Sequence, residues 1–401
     1  MRILVVNNGS SSIKLDWIEV AADKELRLAS GTIRLDGDSA NVTYRLGTFP
    51  PMERRGEGFD SATALREFLD WLGAEHKRRG LPKVEVDAVG HRIVHGGPNL
   101  RTPTRIDDSI LAELDRVTPL APLHNPPAME GIQAAEAALG ARIPAVAVFD
   151  TAFHATLPTE ASTYALPRAM SERFGIRRYG FHGIAHESLM RSYVAASGRT
   201  LARSRLITLQ LGQGCSAAAI RDGESIDTSM GFTPLEGLMM GTRPGDLDPG
   251  IVPFLTGNGA LSPDQVEQWL SKECGWLGVS GLSSDFGELW KARDDSSGAA
   301  LAINTFCYRV RKYVGAYMAS LGGADAILFG GGIGENQPGI RSAVCRRMEW
   351  CGLRLDERKN QATVGQTGLI STKDSAVQVW VFIVDEACLI ARKTFALLSR
   401  E

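Results

Sequence analysis

The sequence predicts an α/β protein built as two similar halves, and three observations carry that prediction. Strand and helix patterns alternate along the 401 residues, a short apolar strand ends near residue 150, and a glycine-rich hairpin recurs roughly two hundred residues after its first copy. With 44% hydrophobic and 22% charged residues the chain can bury a sizeable core, and its length favours two domains over one.

The first hairpin opens with Ile3, Leu4, Val5 and Val6, turns through the polar run Asn7-Asn8-Gly9-Ser10-Ser11-Ser12, and returns with Ile13, Leu15 and Trp17 alternating with Lys14 and Asp16. Helical spacing follows over residues 61–79, 110–116 and 127–139, with strands over 86–89 and Ala145–Phe149. The second hairpin runs from Arg205 to Leu209, through Gly212-Gln213-Gly214-Cys215-Ser216, and back along Ala217-Ala218-Ala219-Ile220 to an Asp222-Gly223 turn. After it come a helix over Pro263–Lys272, a strand over 326–329, a helical pattern over 338–350, a strand over 377–384 and a final helix over 387–398. The expected division is residues 1–150 with 386–401 as one domain and 151–385 as the other, with a cleft between the halves as the natural ligand site.

Net charge is −2, from 44 Lys+Arg against 46 Asp+Glu, without long runs of one sign. That balance argues against nucleic acid and anionic membranes and for a small soluble substrate. The amino-terminal apolar run is too short for a signal-peptide core and no stretch is long enough to span a bilayer, so a cytoplasmic protein is expected. Six cysteines without a C-x-x-C pair read as ordinary thiols, indicating neither disulfides nor zinc.

Gly212-x-Gly214-x-x-Ala217 superficially fits a dinucleotide fingerprint, but that motif needs a helix after the glycines, and here a strand follows. Both hairpin loops therefore read as phosphate cradles, their glycines letting backbone N–H groups approach phosphate oxygens. A third glycine-rich loop, Gly330-Gly331-Gly332-Ile333-Gly334-Glu335-Asn336, follows a strand and precedes a helical pattern, a place where a nucleotide can lie against the chain. Arginines and histidines gather on glycine- and proline-stiffened loops: His91, Arg92 and His95; His124; Arg177, Arg178 and His182; and Arg243. Phosphoryl transfer needs such cations, since its catalysis is chiefly positioning plus neutralisation of charge.

Taken together, Asn7 with Gly9-Ser10-Ser11-Ser12-x-Lys14, Gly90-His91-Arg92-x-Val94-His95-Gly96-Gly97, Leu123-His124-Asn125-Pro126-Pro127, Val148-Phe149-Asp150-Thr151-Ala152-Phe153-His154, Arg178-Tyr179-Gly180-Phe181-His182-Gly183, Met230-Gly231-Phe232-Thr233-Pro234-Leu235-Glu236-Gly237, Gly241-Thr242-Arg243 and Gly332-Ile333-Gly334-Glu335-Asn336 resemble the acetate kinase family, nearly end to end. The resemblance implies the duplicated sugar-kinase, heat-shock-protein and actin superfold, which is ribonuclease H-like. It implies reversible, direct in-line transfer between ATP and acetate, giving ADP and acetyl phosphate, by a homodimer. Carried over to this chain, it implies that Asn7 and Glu386 position Mg2+, with Mn2+ as an alternative, and that Arg92 and Arg243 hold the substrate carboxylate and the transferring phosphoryl group. His182 would donate to the transition state, and Asp150 would orient or deprotonate the acceptor. A carboxylate acceptor is already ionised at neutral pH, so the orienting role carries more weight. The nucleotide residues implied are Lys14, Gln210, Leu211, Gly212, Gln213, Gly214, Asp285, Phe286, Gly287, Gly332, Ile333, Gly334, Glu335 and Asn336. Val94, Leu123, Phe181 and Pro234 correspond to the apolar pocket for the acyl chain, and because such a pocket separates a methylene by only about 1–3 kcal/mol, acetate and propionate both stay open.

The sequence departs from the family pattern at Gln210 and Gln213, where the family has histidine and asparagine, at Gly287 in place of an arginine, at Ile184-Ala185 in place of Thr-Ser, and at Ala387 in place of a glutamate. Those changes bear on nucleotide affinity and donor choice. The competing readings are a propionate kinase or an altered phosphoryl donor, and, from another class, a catalytically weakened protein that binds nucleotide or acyl phosphate.

Overall fold

The computed structural model describes residues 1–9, 12–22 and 24–400, so Ser10 and Ser11 of the first glycine-rich loop lie outside the described residues. The chain divides into two compact units, Met1–Ala152 with Asp385–Glu401, and Phe153–Val384.

The first unit is built on β1 (Arg2–Asn8), β2 (Ser12–Val20), β3 (Glu25–Asp36), β4 (Ser39–Leu46), β5 (Met52–Glu57), β6 (Ala88–Ile93), β7 (Thr104–Arg105) and β8 (Ala145–Phe149), in the sheet order β5-β4-β3-β2-β1-β6-β8-β7. β1 pairs antiparallel with β2 and parallel with β6, so Ile3, Leu4, Val5 and Val6 are all buried, as a central strand covered on both faces requires. One face packs on the helices Ser61–Arg78 and Asn125–Leu139, through Ala64, Leu65, Phe68, Leu72, Ala134 and Ala135. The other receives the carboxy-terminal helix Glu386–Leu398, which contacts β1, β2 and β6. A Cβ on Gly90 would stand 2.6 Å from Thr394 Oγ1 and 2.8 Å from Ile390 Cγ2, so glycine is what lets this helix lie close on β6.

Two readings are corrected here. The strand expected over 86–89 is β6, Ala88–Ile93, and Gly90-His91-Arg92, read as loop, forms its second half. Parallel partners on both sides, β1 and β8, hold the strand through those polar residues, and the pleat sends His91 and Arg92 to opposite faces. The hairpin, moreover, does not stop at β2 but continues as the antiparallel meander β3–β5, turning at Gly37 with φ 59°.

The second unit carries β9 (Arg205–Leu211), β10 (Cys215–Arg221), β11 (Glu224–Thr228), β12 (Ala326–Gly330), β13 (Gly368–Leu369) and β14 (Gln378–Val381), ordered β11-β10-β9-β12-β14-β13. Its first five strands repeat β3-β2-β1-β6-β8, with two antiparallel pairings followed by two parallel ones in each sheet. The weak echo of the two hairpins is thus a duplication of a five-stranded sheet. Asp222 and Gly223 both have positive φ, the turn that matches strand twist in a two-residue hairpin. A 25-residue helix, Ser297–Leu321, capped by the Ser296 hydroxyl and closed at left-handed Gly322, lies against this sheet and has no counterpart among the sequence-predicted elements.

The third glycine-rich loop is also corrected: β12 runs through Gly330, Gly331 turns at φ 75°, and Gly331–Asn336 is itself a short helix. The helix expected over 338–350 stops at Cys345, where Arg346 becomes extended, and the strand over 377–384 is regular only at Gln378–Val381. All six cysteines are free thiols, and no helix among the described residues is long and apolar enough to cross a membrane.

Candidate active site

In the first unit, four of the sequence-predicted residues meet where the parallel strands β1, β6 and β8 end. Asp150 follows β8, its N–H bonded to Ile93 O at 2.9 Å, and its carboxylate is 1% exposed. Arg92, on β6, donates to Asp150 Oδ2 from Nη2 at 2.5 Å and from Nε at 3.2 Å, and to Asn7 Oδ1 from Nη1 at 3.1 Å. Glu386 Oε2 lies 4.0 Å from Arg92 Nε and accepts from Asn7 Nδ2 at 3.5 Å. Burial alone would lower the guanidinium pKa, but the Asp150 and Glu386 carboxylates outweigh it and hold Arg92 above its ordinary value. The two acids opening the carboxy-terminal helix divide the work: Asp385 caps it, accepting from Cys388 N at 3.0 Å and pairing with Arg27 at 2.7 Å, while Glu386 faces Asn7 and Arg92.

The histidines grouped with these arginines in the sequence are not cations. Burial pushes His91 down to about 3 and His95 to about 4, so both are neutral at pH 7. His95 instead accepts from Gly97 N at 2.8 Å, and Asn125 bonds its backbone on both sides, donating to His95 O at 3.0 Å and accepting from His95 N at 3.1 Å. That exchange ties the loop after β6 to the start of the helix Asn125–Leu139. His124, beside it, is half-buried, as is Val94, whereas Leu123 is 46% exposed and Lys14 stands exposed on β2 opposite Asn7.

In the second unit, His182 sits at the N-cap of the helix Gly183–Ser197 with φ 57°, a left-handed conformation uncommon outside glycine. Its Nδ1 is 2.8 Å from Ser216 Oγ on β10. Gly214, in the β9–β10 turn, faces His182 and Arg243 together: a Cβ there would be 2.9 Å from Arg243 Nη2 and 3.3 Å from His182 Nε2. Arg243 donates from Nη1 to Pro234 O at 3.0 Å, and among the described residues no carboxylate pairs with it. Desolvation accordingly lowers its pKa below the ordinary value. Its loop is clamped by backbone bonds from Cys274 N to Thr242 O, Trp276 N to Met240 O and Leu277 N to Gly241 O. Arg178, by contrast, is spent on structure, donating to the carbonyls of Thr228, Ser229 and Met230 and pairing with Glu236 at 2.6 Å. Phe181 is buried, with its carbonyl accepting from or facing His154 Nε2 at 3.0 Å, and Pro234 is half-buried.

The glycine-rich segments of this unit converge. The β9–β10 turn is closed by Gly212 N to Gly214 O at 3.1 Å, a Cβ on Gly331 would be 2.6 Å from Leu211 O, and one on Gly212 would be 4.0 Å from Gly332 N. β10 returns as a strand after Gly214, which removes the dinucleotide-fingerprint reading. Gln213 is exposed, yet its amide lies on Gly241, whose N–H it accepts through its backbone at 3.1 Å; Gln210 Oε1 is buried with no hydrogen-bond partner among the described residues. Asn336 Nδ2 donates to Gly332 O at 2.9 Å, and Glu335 Oε1 accepts from Gly331 N and Val384 N, both at 3.0 Å. Ile333 and Gly334 are buried behind them. Asp285 caps the helix Phe286–Ala292 through Glu288 N, and the Phe286 ring packs against Trp276, Trp290 and Phe306, so that side chain belongs to the core; Gly287 follows on the same helix.

Sequence reading missed Ser216 as a partner of His182; the signal was a serine two residues past Gly214, whose alternation sends it to the face that His182 packs on.

Residues 2–392 match the Acetokinase family. The chain is 44% identical to the acetate kinase of Solibacter usitatus over 98% of this chain and 97% of that one, and 42% identical to the acetate kinase of Thermotoga maritima over 100% and 99%. Among solved structures it is similar to Porphyromonas gingivalis acetate kinase, with TM-score 0.89 at 38% identity over 99% of each chain. It is also similar to a propionate kinase from Francisella tularensis, with TM-score 0.88 at 34% identity over 98% of this chain and 99% of that one. The fold is therefore the duplicated actin-like α/β architecture, and the chain belongs to the acetokinase family.

Proposed function

We propose that this protein catalyses reversible phosphoryl transfer between ATP and acetate, forming acetyl phosphate and ADP. The observation that carries the reading is Arg243: a mostly buried guanidinium that no carboxylate among the described residues pairs with, beside His182 and a glycine turn, is an arrangement that an anion completes. Family membership supplies the choice of reaction.

In this reading an acetate oxygen attacks the γ-phosphorus while the bond to the ADP oxygen breaks and that oxygen leaves with the electron pair. No proton has to move, because the attacking carboxylate is already ionised. Arg92, locked by Asp150 and Asn7, orients the acceptor, and Arg243 with His182 Nε2 meets the charge on the transferring group. Val94, Leu123, Phe181 and Pro234 supply the apolar contacts for the methyl group. The nucleotide lies along the Gly212–Gly214 turn and the Gly332 segment, where the orphaned Gln210 Oε1 offers an acceptor.

The donors at Asn7 and Glu386 fit a hard divalent cation: one carboxylate and one amide oxygen that keeps a lone pair after accepting from Arg92. Among the described residues no group of three or more His, Cys, Asp or Glu could hold a metal, so phosphate oxygens and water would fill the other positions. Mg2+, or Mn2+ in its place, neutralises phosphate charge when bound. A homodimer belongs to the same reading, and light scattering checks it.

The test is acyl-phosphate formation by purified protein with ATP and Mg2+ across acetate, propionate and butyrate, repeated with pyrophosphate as donor and with Arg243→Ala. Turnover highest with acetate and abolished in the arginine variant supports the reading. Higher turnover with propionate transfers it to that acid, and nucleotide binding without turnover from any donor replaces it with a binding protein.

A further inference from the structure

We propose that Asp246, held by Tyr313, is a positioning residue for Arg243: its carboxylate closes the irregular segment that carries this arginine into a fixed frame. The effect on catalysis rests on the function proposed above; the frame itself does not.

Arg243 lies within residues 229–250, between β11 and the helix Ile251–Gly257, a stretch of turns and bends without helix or strand. No regular ladder of backbone bonds sets where its guanidinium stands, so side chains have to do so. Two contacts, each spanning nine residues, provide the constraint. At one end Arg243 Nη1 donates to Pro234 O at 3.0 Å. At the other, Asp246 and Gly237 exchange two bonds, Gly237 N donating to Asp246 Oδ1 at 3.1 Å and Asp246 N to Gly237 O at 2.9 Å. Residues 234–237 and 243–246 are thereby held together at both ends, and Met240 N, donating to Arg243 O at 3.0 Å, closes the bend between them. Gly245, with φ 72°, permits the close approach, because a Cβ there would run into Gly237 O.

A frame of this kind fixes an arginine only when it is fastened to something stiffer, and each side has its own anchor. On the Pro234 side, Glu236 pairs with Arg178 at 2.6 Å and accepts from the Tyr164 hydroxyl. On the Arg243 side, the Tyr313 hydroxyl stands 3.0 Å from both carboxylate oxygens of Asp246. Tyr313 belongs to the helix Ser297–Leu321, which lies against β9 and β10. The support for Arg243 thus rests on the two strands that the Gly212–Gly214 turn joins, and that turn is the one Arg243 faces. Burial and the Asp246 carboxylate push the Tyr313 phenol well above its ordinary pKa, so it stays a donor.

The Asp246 carboxylate serves as a double acceptor rather than as half of an ion pair. Among the described residues no cation pairs with it, and Arg178 is committed to Glu236 and to three carbonyls. An amide of the same shape can therefore take its place, its oxygen accepting from Gly237 N and its NH2 donating to the Tyr313 oxygen.

Hydrogen–deuterium exchange of the unliganded protein, read by mass spectrometry over peptides of residues 229–250, follows the frame without reference to activity. Tyr313→Phe and Asp246→Ala should each speed exchange there several-fold while peptides from β9 and β12 keep their rate. In the assay with ATP and acetate, Asp246→Ala should lower kcat by about 10²-fold, the cost of a misplacement near 1 Å, and Tyr313→Phe, which leaves the Gly237 bonds in place, by about tenfold. Unchanged KM should accompany both, and Asp246→Asn should recover most of the loss. Unchanged exchange over 229–250 in Tyr313→Phe overturns the frame even if the alanine variant fails to fold. Faster local exchange with unchanged kcat overturns the positioning role, as does exchange accelerated equally throughout the protein, which marks a residue serving folding alone. A loss in Asp246→Asn as large as in Asp246→Ala overturns it too, since charge rather than shape would then be what counts. Absence of turnover in the unmodified protein overturns the proposed reaction instead, and exchange then decides the frame by itself.

Discussion

Gly214→Ala is a small change aimed at one spot. The new methyl would stand 2.9 Å from Arg243 Nη2, 3.2 Å from His182 Cε1 and 3.3 Å from His182 Nε2, where ordinary contact begins near 3.4 Å. Arg243 must retreat by about half an ångström and His182 by a few tenths, and since a 1 Å misplacement costs about 10² in rate, a drop of about 10 to 100-fold in kcat follows. That is about 1.4 to 2.7 kcal/mol of transition-state stabilisation. Gly214 is not among the glycines with positive φ, so alanine adopts its backbone without strain and the unfolded chain loses freedom, which offsets local crowding. Acyl-phosphate formation should therefore fall steeply while the thermal midpoint moves by only about a degree or two. Unchanged turnover would show that Arg243 and His182 do not act at this point, and a loss of activity matched by a loss of stability would show that the glycine serves folding alone.

Arg92→Lys replaces a guanidinium that reaches Asp150 twice and Asn7 once with a single ammonium, and turnover should fall by about 10³ with protein still folded by circular dichroism. Asp150→Asn weakens the hold on Arg92; if orientation is its role, kcat falls by about 10 to 100-fold while the pH-rate profile keeps its shape, and loss of a titrating limb would instead mark a base. Burial pushes His91 down to about 3 and His95 and His154 to about 4 from the ordinary 6.5, so the unfolded chain binds more protons below pH 6.5. Stability is complete above that pH and is lost as pH falls toward 4, by about 2 kcal/mol per histidine at pH 5, which urea unfolding at pH 7.5, 6 and 5 measures.

The duplication was legible because each half opens with a hairpin whose glycines interrupt alternating strands. The parallel core was less so: Gly90-His91-Arg92 reads as loop in isolation, and only the flanking strands β1 and β8, distant in sequence, make it the end of β6. The helix Ser297–Leu321 escaped notice since its buried positions include Ala299, Ala302 and Cys307, small residues that blur the apolar period. Asn7, Arg92 and Asp150 were legible as members of motifs and Glu386 only through the family resemblance, and the fold gathers the four. What spacing could not tell was burial: His91 and His95 look like Arg92's companions in a cationic loop but are neutral core groups, and Arg178 spends its donors on carbonyls. The Phe286 ring likewise faces other aromatics, a matter of which helix face packs inward.

Because the first unit draws on Met1–Ala152 and on Asp385–Glu401, it is closed by a segment made only after the whole of the second unit. During synthesis the second unit, Phe153–Val384, is contiguous and can mature as soon as it emerges, whereas the first must wait with one side of its sheet bare. Glu386 arrives with the helix that covers Gly90, so its contact with Arg92 comes into being at the same moment as the last layer of that core. A ribosome-bound chain stalled before residue 385 would hold a complete second unit and a first unit whose sheet still has one apolar face uncovered.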